Sequence, residues 1–151
     1  MKHLRILEGE DWHLNYLIGR LREEDYNEVK AATGQDPNDV LRDAWLTKGK
    51  RWTIEYMDRI VGVFGLKDGG NEIGVPWLLG NEGIRKIGRA FVGESGRIIA
   101  GMLQDFPVLM NYVDARNKTS IRWLEWCGFN IHAPVPYGAE QLPFHPFIMY
   151  R

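Results

Sequence analysis

The sequence predicts a mixed α/β domain in which a central mixed sheet, containing one splayed parallel strand pair, is flanked by helices. Three observations carry this. Hydrophobic residues recur at helical spacing over the first third of the chain and switch to alternation from Arg51. A strand, a long helix and a second strand then follow one another from Glu72 to Val113, and a right-handed crossover makes such strands parallel neighbours. The first of those strands carries Pro76 in its interior. A residue without an N–H cannot serve an unbroken ladder, so the pair should open at Pro76.

The elements follow in order. Leu4 and Ile6 alternate with Arg5 as a short strand that ends at Gly9, where Asp11 can cap a helix whose apolar positions are Leu14, Leu17, Ile18 and Leu21. A second helix, Tyr26 to Ala32, stops at Gly34. Asp36-Pro37 starts a third, burying Val40, Leu41, Ala44 and Trp45. Trp52, Ile54 and Tyr56 alternate up to Asp58-Arg59, and Ile60 to Leu66 resumes, which reads as a β-hairpin. Turn chemistry from Lys67 to Asn71 leads to a strand over Glu72–Leu79. Phe91, Ser95, Ile98, Ile99, Met102 and Phe106 share one face of a helix of about four turns that ends before Pro107. Val108 to Val113 is a strand, Thr119 to Cys127 a helix closed by Gly128, Phe129 to Val135 alternates, and Pro143 to Tyr150 is a last strand. Cys127, between Trp126 and Gly128, is expected to be mostly buried.

Composition bounds the function. One domain spanning 1–151 can bury about two-thirds of its unfolded surface. At 44% hydrophobic and 26% charged residues the chain is of ordinary globular type. Nineteen basic and twenty acidic residues leave a net charge of −1, so no whole-molecule field attracts nucleic acid. Lys48, Lys50 and Arg51, with Arg85, Lys86 and Arg89, are the local exceptions. A lone Cys127 points to a reducing compartment, and the acidic residues Glu8, Glu10 and Asp11 after Met1-Lys2-His3 argue against a signal peptide. The longest apolar run, Ile60 to Leu66, is too short to span a membrane. His3, His13, His132 and His145 lack metal-binding spacing, so no metal site is expected.

The element order, together with the segment Val113-Asp114-Ala115-Arg116-Asn117 through Trp123-Leu124 to Gly128-Phe129, resembles the GNAT acetyltransferase superfamily. Pro76-Trp77-Leu78-Leu79, Leu109-Met110-Asn111-Tyr112-Val113, Asn117, and Leu21-Arg22 with Asp25 and Glu28 further resemble GNAT-like proteins of short-tailed bacteriophages, including a family of internal virion proteins. The resemblance implies an acyltransferase that moves an acetyl group from acetyl-CoA to an amine. It equally admits a non-catalytic virion or host-interaction protein on the same scaffold. In either case the chain would act in the host cytoplasm, or be packaged in a particle, with a phage or host protein as a partner.

In such enzymes a loop of the form Arg/Gln-x-x-Gly-x-Gly/Ala holds the pyrophosphate at a helix start, where N–H groups and the helix dipole favour anions. Arg85-Lys86-Ile87-Gly88-Arg89-Ala90 has that form, although an ordinary helix entry would read the same way. The resemblance also implies cofactor contacts from Trp77, Leu78, Leu79 and Asn117, while Asn117 is equally well placed as a helix cap. The Tyr that usually protonates the leaving thiolate is replaced by Leu124. Trp123 and Trp126 read as core or interface aromatics. Glu72, opening the splayed strand, is the candidate general base, ahead of Glu55 and Glu82.

Overall fold

The computed structural model describes residues 3–151; Met1 and Lys2, which open the segment read against a signal peptide, lie outside them. Strand β1 (Leu4–Glu8) is followed by helices α1 (Asp11–Leu17), α2 (Glu23–Thr33) and α3 (Pro37–Leu46). The first helix is shorter than its apolar spacing suggests, because Gly19 turns the chain with φ 79° and places Leu21 in a connection. For α3 the expected start holds: Asp36 accepts from the Asn38 N–H at 2.8 Å and Pro37 occupies the first turn.

Strands β2 (Gly49–Tyr56) and β3 (Arg59–Asp68) form the expected hairpin through Met57 and Asp58, both at positive φ. Strand β4 (Ile73–Gly80) follows a second tight turn. Asn71 and Glu72 occupy that turn at φ 54° and 64°, so Glu72 belongs to the turn and not to the strand it was expected to open. A short 3-10 helix (Glu82–Lys86) leads to α4 (Gly88–Asp105), which begins one turn before Phe91 and is five turns long. Then come β5 (Val108–Asp114), α5 (Lys118–Cys127), β6 (Asn130–Ile131), β7 (Val135–Tyr137) and β8 (Leu142–Tyr150). The alternating segment after Phe129 is thus divided into two short strands, with Pro134 between them.

The sheet runs β1-β2-β3-β4-β5-β8-β6, with β7 also on β8. All pairs are antiparallel except β4 and β5. One face buries Leu14, Leu17, Leu41 and Trp45 of α1 and α3 against Ile60, Val63 and Leu79. The other packs Phe91 and Met102 of α4 and Trp123 of α5 on Phe64, Leu66, Leu109 and Phe147. Among the described residues no helix is long and apolar enough to cross a membrane.

Gly65 makes one feature of this sheet possible. It pairs with Trp77, and a Cβ at Gly65 would lie 2.7 Å from the indole, so the ring crosses the neighbouring strand only because no side chain stands there. Gly65→Ala is therefore expected to cost about 1–3 kcal/mol through overpacking. A thermal melt should show Tm lower by several degrees.

Candidate active site

The parallel pairing of β4 with β5 consists of Ile73 with Val108 and Gly74 with Leu109, and it stops before Pro76. The opening expected from the missing proline N–H is present. Beyond it the Pro76 carbonyl accepts from Asn111 Nδ2 at 2.8 Å, which fixes the direction of the peptide groups. Groups on alternate residues of a strand point the same way, so the amides of Pro76, Leu78 and Gly80 all face β5. Gly80 is engaged by α2: its N–H donates to Asp25 Oδ2 at 2.8 Å, and its carbonyl accepts from Arg22 N at 2.9 Å. The Leu78 amide lies between these two and turns into a gap where β5 does not pair with it.

That gap opens on a cavity of about 260 Å³ lined by residues from both faces of the sheet. Leu78, Phe91, Ile98, Trp123 and Cys127 line its α4–α5 side, and Trp77, Val29, Ala32, Val40 and Tyr112 its opposite side. Leu79 also borders it. The thiol of Cys127 is only half-buried, contrary to expectation, because its helix faces this cavity and not closed core. Its Sγ lies 3.6 Å from Ser95 Oγ, and burial pushes its pKa up, which disfavours the reactive thiolate.

Two carboxylates three residues apart on α2 close the far end. Asp25 holds the end of β4 through Gly80, and Glu28 Oε1 accepts from Asp114 N at 2.8 Å at the end of β5. Asn117 Nδ2 bridges them, 3.4 Å from Asp25 and 3.3 Å from Glu28. Arg22 Nη2 donates to Asp25 Oδ1 at 2.8 Å and to Asn117 and Ser120 at 3.0 Å. Arg22, Asp25 and Asn117 are buried. Desolvation pushes the Asp25 pKa up despite the guanidinium. Glu28 lines the cavity, and desolvation, reinforced by the nearby Asp25 charge, pushes its pKa from 4.5 to about 8 against the Asp114 and Asn117 hydrogen bonds.

The residues expected at the phosphate loop are placed together at the start of α4. Arg85 and Lys86 end the 3-10 helix, and Gly88, Arg89 and Ala90 form the first turn of α4, anchored below by buried Ile84 and Ile87. Arg85 donates to Glu82 at 2.7 Å and also to Glu24, so its charge is already countered. Arg89 lies over the Trp126 ring at 5.1 Å. A Cβ at Gly88 would meet only Trp123 Nε1, at 4.0 Å, so the chain's own packing does not demand glycine there. Asn117 caps α5, accepting from Ser120 N at 3.4 Å, in addition to its place in the buried network.

Glu72 is not brought to this site. Its turn is exposed and lies at the paired end of β4, on the other side of Pro76 from the gap. Glu82 is held by Arg85, and Glu55 accepts from Arg5 at 2.8 Å outside the cavity. The carboxylate that the fold does bring to the cavity is Glu28. The signal for it was a polar stripe, Arg22, Asp25 and Glu28, spaced by three along a helix that had to bury one face.

No protein-family model matches the chain, and no curated protein matches it. Solved structures do. A GCN5-related N-acetyltransferase from Kribbella flavida superposes with a TM-score of 0.72 at 15% identity, over 99% of this chain and 98% of that one. The yncA protein of Salmonella typhimurium, solved with its cofactor acetyl-CoA, gives 0.68 at 13% identity, over 99% and 94%. Spermidine N-acetyltransferase from Vibrio cholerae, in complex with CoA and spermine, gives 0.67 at 12%, over 98% and 95%. None of these three is a phage protein, so the phage resemblance rests on the sequence blocks alone. Sheet order, the single parallel pair, its splay and these superpositions together establish that the chain has the fold of the GCN5-related N-acetyltransferases.

Proposed function

We propose that the protein is an acetyl-CoA-dependent N-acyltransferase with Glu28 as its general base. The observation that carries this reading is the cavity lined from both faces of the sheet at the β4–β5 splay, with Leu78, whose amide β5 leaves unpaired, and a carboxyl of raised pKa on its wall. The apolar walls suit a pantetheine chain entering from the α4–α5 side, beside Leu78, Trp123 and Leu124. Arg85, Lys86 and Arg89, with the first N–H groups of α4, suit its pyrophosphate. Trp77 and Leu79 border the same slot, and Asn117 supports it through the network it shares with Glu28.

Leu78 N–H is then placed to polarise the thioester carbonyl, the usual task of a fixed donor at a developing oxyanion. The amine nitrogen bonds to the acetyl carbon, the C–S bond breaks, and Glu28 takes the proton the nitrogen sheds. With Leu124 where a Tyr acid would stand, water supplies the proton to the departing thiolate. A base with a pKa near 8 is matched to this transfer.

Calorimetric titration with acetyl-CoA, followed by assay of thiol release with amines, tests the reading. Arg85→Glu combined with Arg89→Glu should weaken acetyl-CoA binding at least tenfold, since each reversal replaces a charge-assisted hydrogen bond worth about 1.5–3 kcal/mol with repulsion. Stability should change by less than about 1 kcal/mol, because both residues are exposed. Glu72→Lys should leave both binding and transfer unchanged. Leu124 and the internal pairing of Arg85 favour a second reading, a non-catalytic scaffold such as a virion or host-interaction protein. Absence of any acetyl-CoA affinity in the wild type would select it.

A further inference from the structure

The half of the cavity that faces α2 and α3 carries information about the acceptor. Strand alternation turns Trp77, Tyr112 and Phe144 to this face, where Glu28 also stands. Tyr137 of β7 stacks on Tyr112 with ring centroids 4.0 Å apart and planes 14° from parallel, and Phe144 tilts against Tyr137 at 5.1 Å. Across from this aromatic ladder the wall is small and aliphatic, formed by Val29 and Ala32 of α2 and Val40 and Ala44 of α3.

The ladder is fixed in place. Ala139 N–H donates to Ala32 O at 3.0 Å and Glu140 N–H to Ala31 O at 3.1 Å, which latches the β7–β8 loop onto α2. Gly138 sits against the same turn, where a Cβ would lie 2.6 Å from Ala32 O. Among the described residues that line the cavity, Glu28 is the one carboxylate and Lys67 the one permanent cation.

We infer that this half-cavity takes a monoamine on a flat apolar body, an arylalkylamine in chemical class, with the amine towards Glu28 and the ring continuing the Tyr112–Tyr137 stack. The inference rests on the transferase reading for its reaction but not for its binding site. An aromatic ring laid on tyrosine faces gains stacking beyond its area burial. A polyamine would bring further ammonium groups to walls with one carboxylate, and Lys67 repels them. A peptide would bury backbone N–H and carbonyl groups against aliphatic side chains that cannot bond them. In the transfer the neutral arylalkylamine nitrogen bonds to the acetyl carbon, the C–S bond breaks, the nitrogen passes one proton to Glu28, and water protonates the departing thiolate, so that CoA leaves as the thiol.

The test compares phenethylamine, spermidine and a lysine-containing peptide as acceptors, and measures phenethylamine binding by calorimetry without acetyl-CoA at pH 9. Phenethylamine should show kcat/KM at least tenfold above both others. Tyr137→Ala should raise its KM and its Kd at least fivefold while kcat at saturation changes less than twofold; Tyr137→Phe should restore both. A thermal melt confirms that each variant is folded. Preference for spermidine or the peptide, or a Tyr137→Ala protein with unchanged phenethylamine affinity, overturns the inference and leaves the transferase reading standing. Tyr137-dependent phenethylamine binding without turnover of any amine upholds the acceptor site and overturns the transferase reading instead.

Discussion

Glu28→Gln should lower acetyl transfer by about 100-fold or more while acetyl-CoA affinity stays within about twofold, since a positioned base typically contributes about 10²–10⁴ and Glu28 lines the cavity on its α2 side, away from the proposed pantetheine entry. In the wild type kcat/KM should rise with pH and level off above about 8, as the carboxyl ionises; in the variant that ascent should vanish. The same group links stability to pH. Its folded pKa lies above its ordinary 4.5, so between those values the folded protein holds a proton that the unfolded chain has shed. Stability from this group is complete below about 4.5 and declines as pH rises towards about 8. The displacement corresponds to at most about 5 kcal/mol, and water reaching the carboxyl through the cavity lowers the realised figure. Glu28→Gln, which stays neutral and keeps an acceptor for Asp114 N–H, should raise Tm at pH 9 by about 5 °C and remove the decline. A variant that melts at the wild-type temperature at pH 9, or that retains full transfer, would exclude Glu28 as a strained base.

Arg22→Met should be among the most destabilising single changes in the chain. It leaves the buried Asp25 carboxylate with hydrogen bonds from Gly80 and Asn117 but without its countercharge. Breaking a buried pair on one side costs about 3–5 kcal/mol, a Tm loss of about 10 °C. The loss should be smaller at pH 5 than at pH 8, because the raised Asp25 pKa lets the orphaned group take a proton. Arg22→Met with Asp25→Leu should recover at least half of the loss, since removing both charges is often nearly neutral. A double variant as unstable as the single one would show that Gly80 depends on Asp25 more than Asp25 depends on Arg22.

Much of the fold was legible from local chemistry alone. Asp36-Pro37 starts α3, Gly34 and Gly128 end α2 and α5, and the change of hydrophobic period at Arg51 marks the passage from helices to sheet. These are short-range effects: a cap, a left-handed glycine and an alternating face act within a turn or a strand, so sequence spacing determines them. Pro76 belongs with them in part: a missing N–H interrupts pairing only on the side it would face, so the β3 ladder runs on through Pro76 while the β5 pairing stops before it. The base did not. Glu72 looked best placed in linear order, but its two-residue turn set it outside the gap. Glu28 acquires its chemistry from groups 86 and 89 positions away, the Asp114 amide and the Asn117 side chain, and from the burial that the closed sheet imposes. Desolvation and convergence of distant groups are properties of the assembled fold, which is why the sequence by itself determined the elements and the splay, and only the tertiary structure decided which carboxylate stands in it.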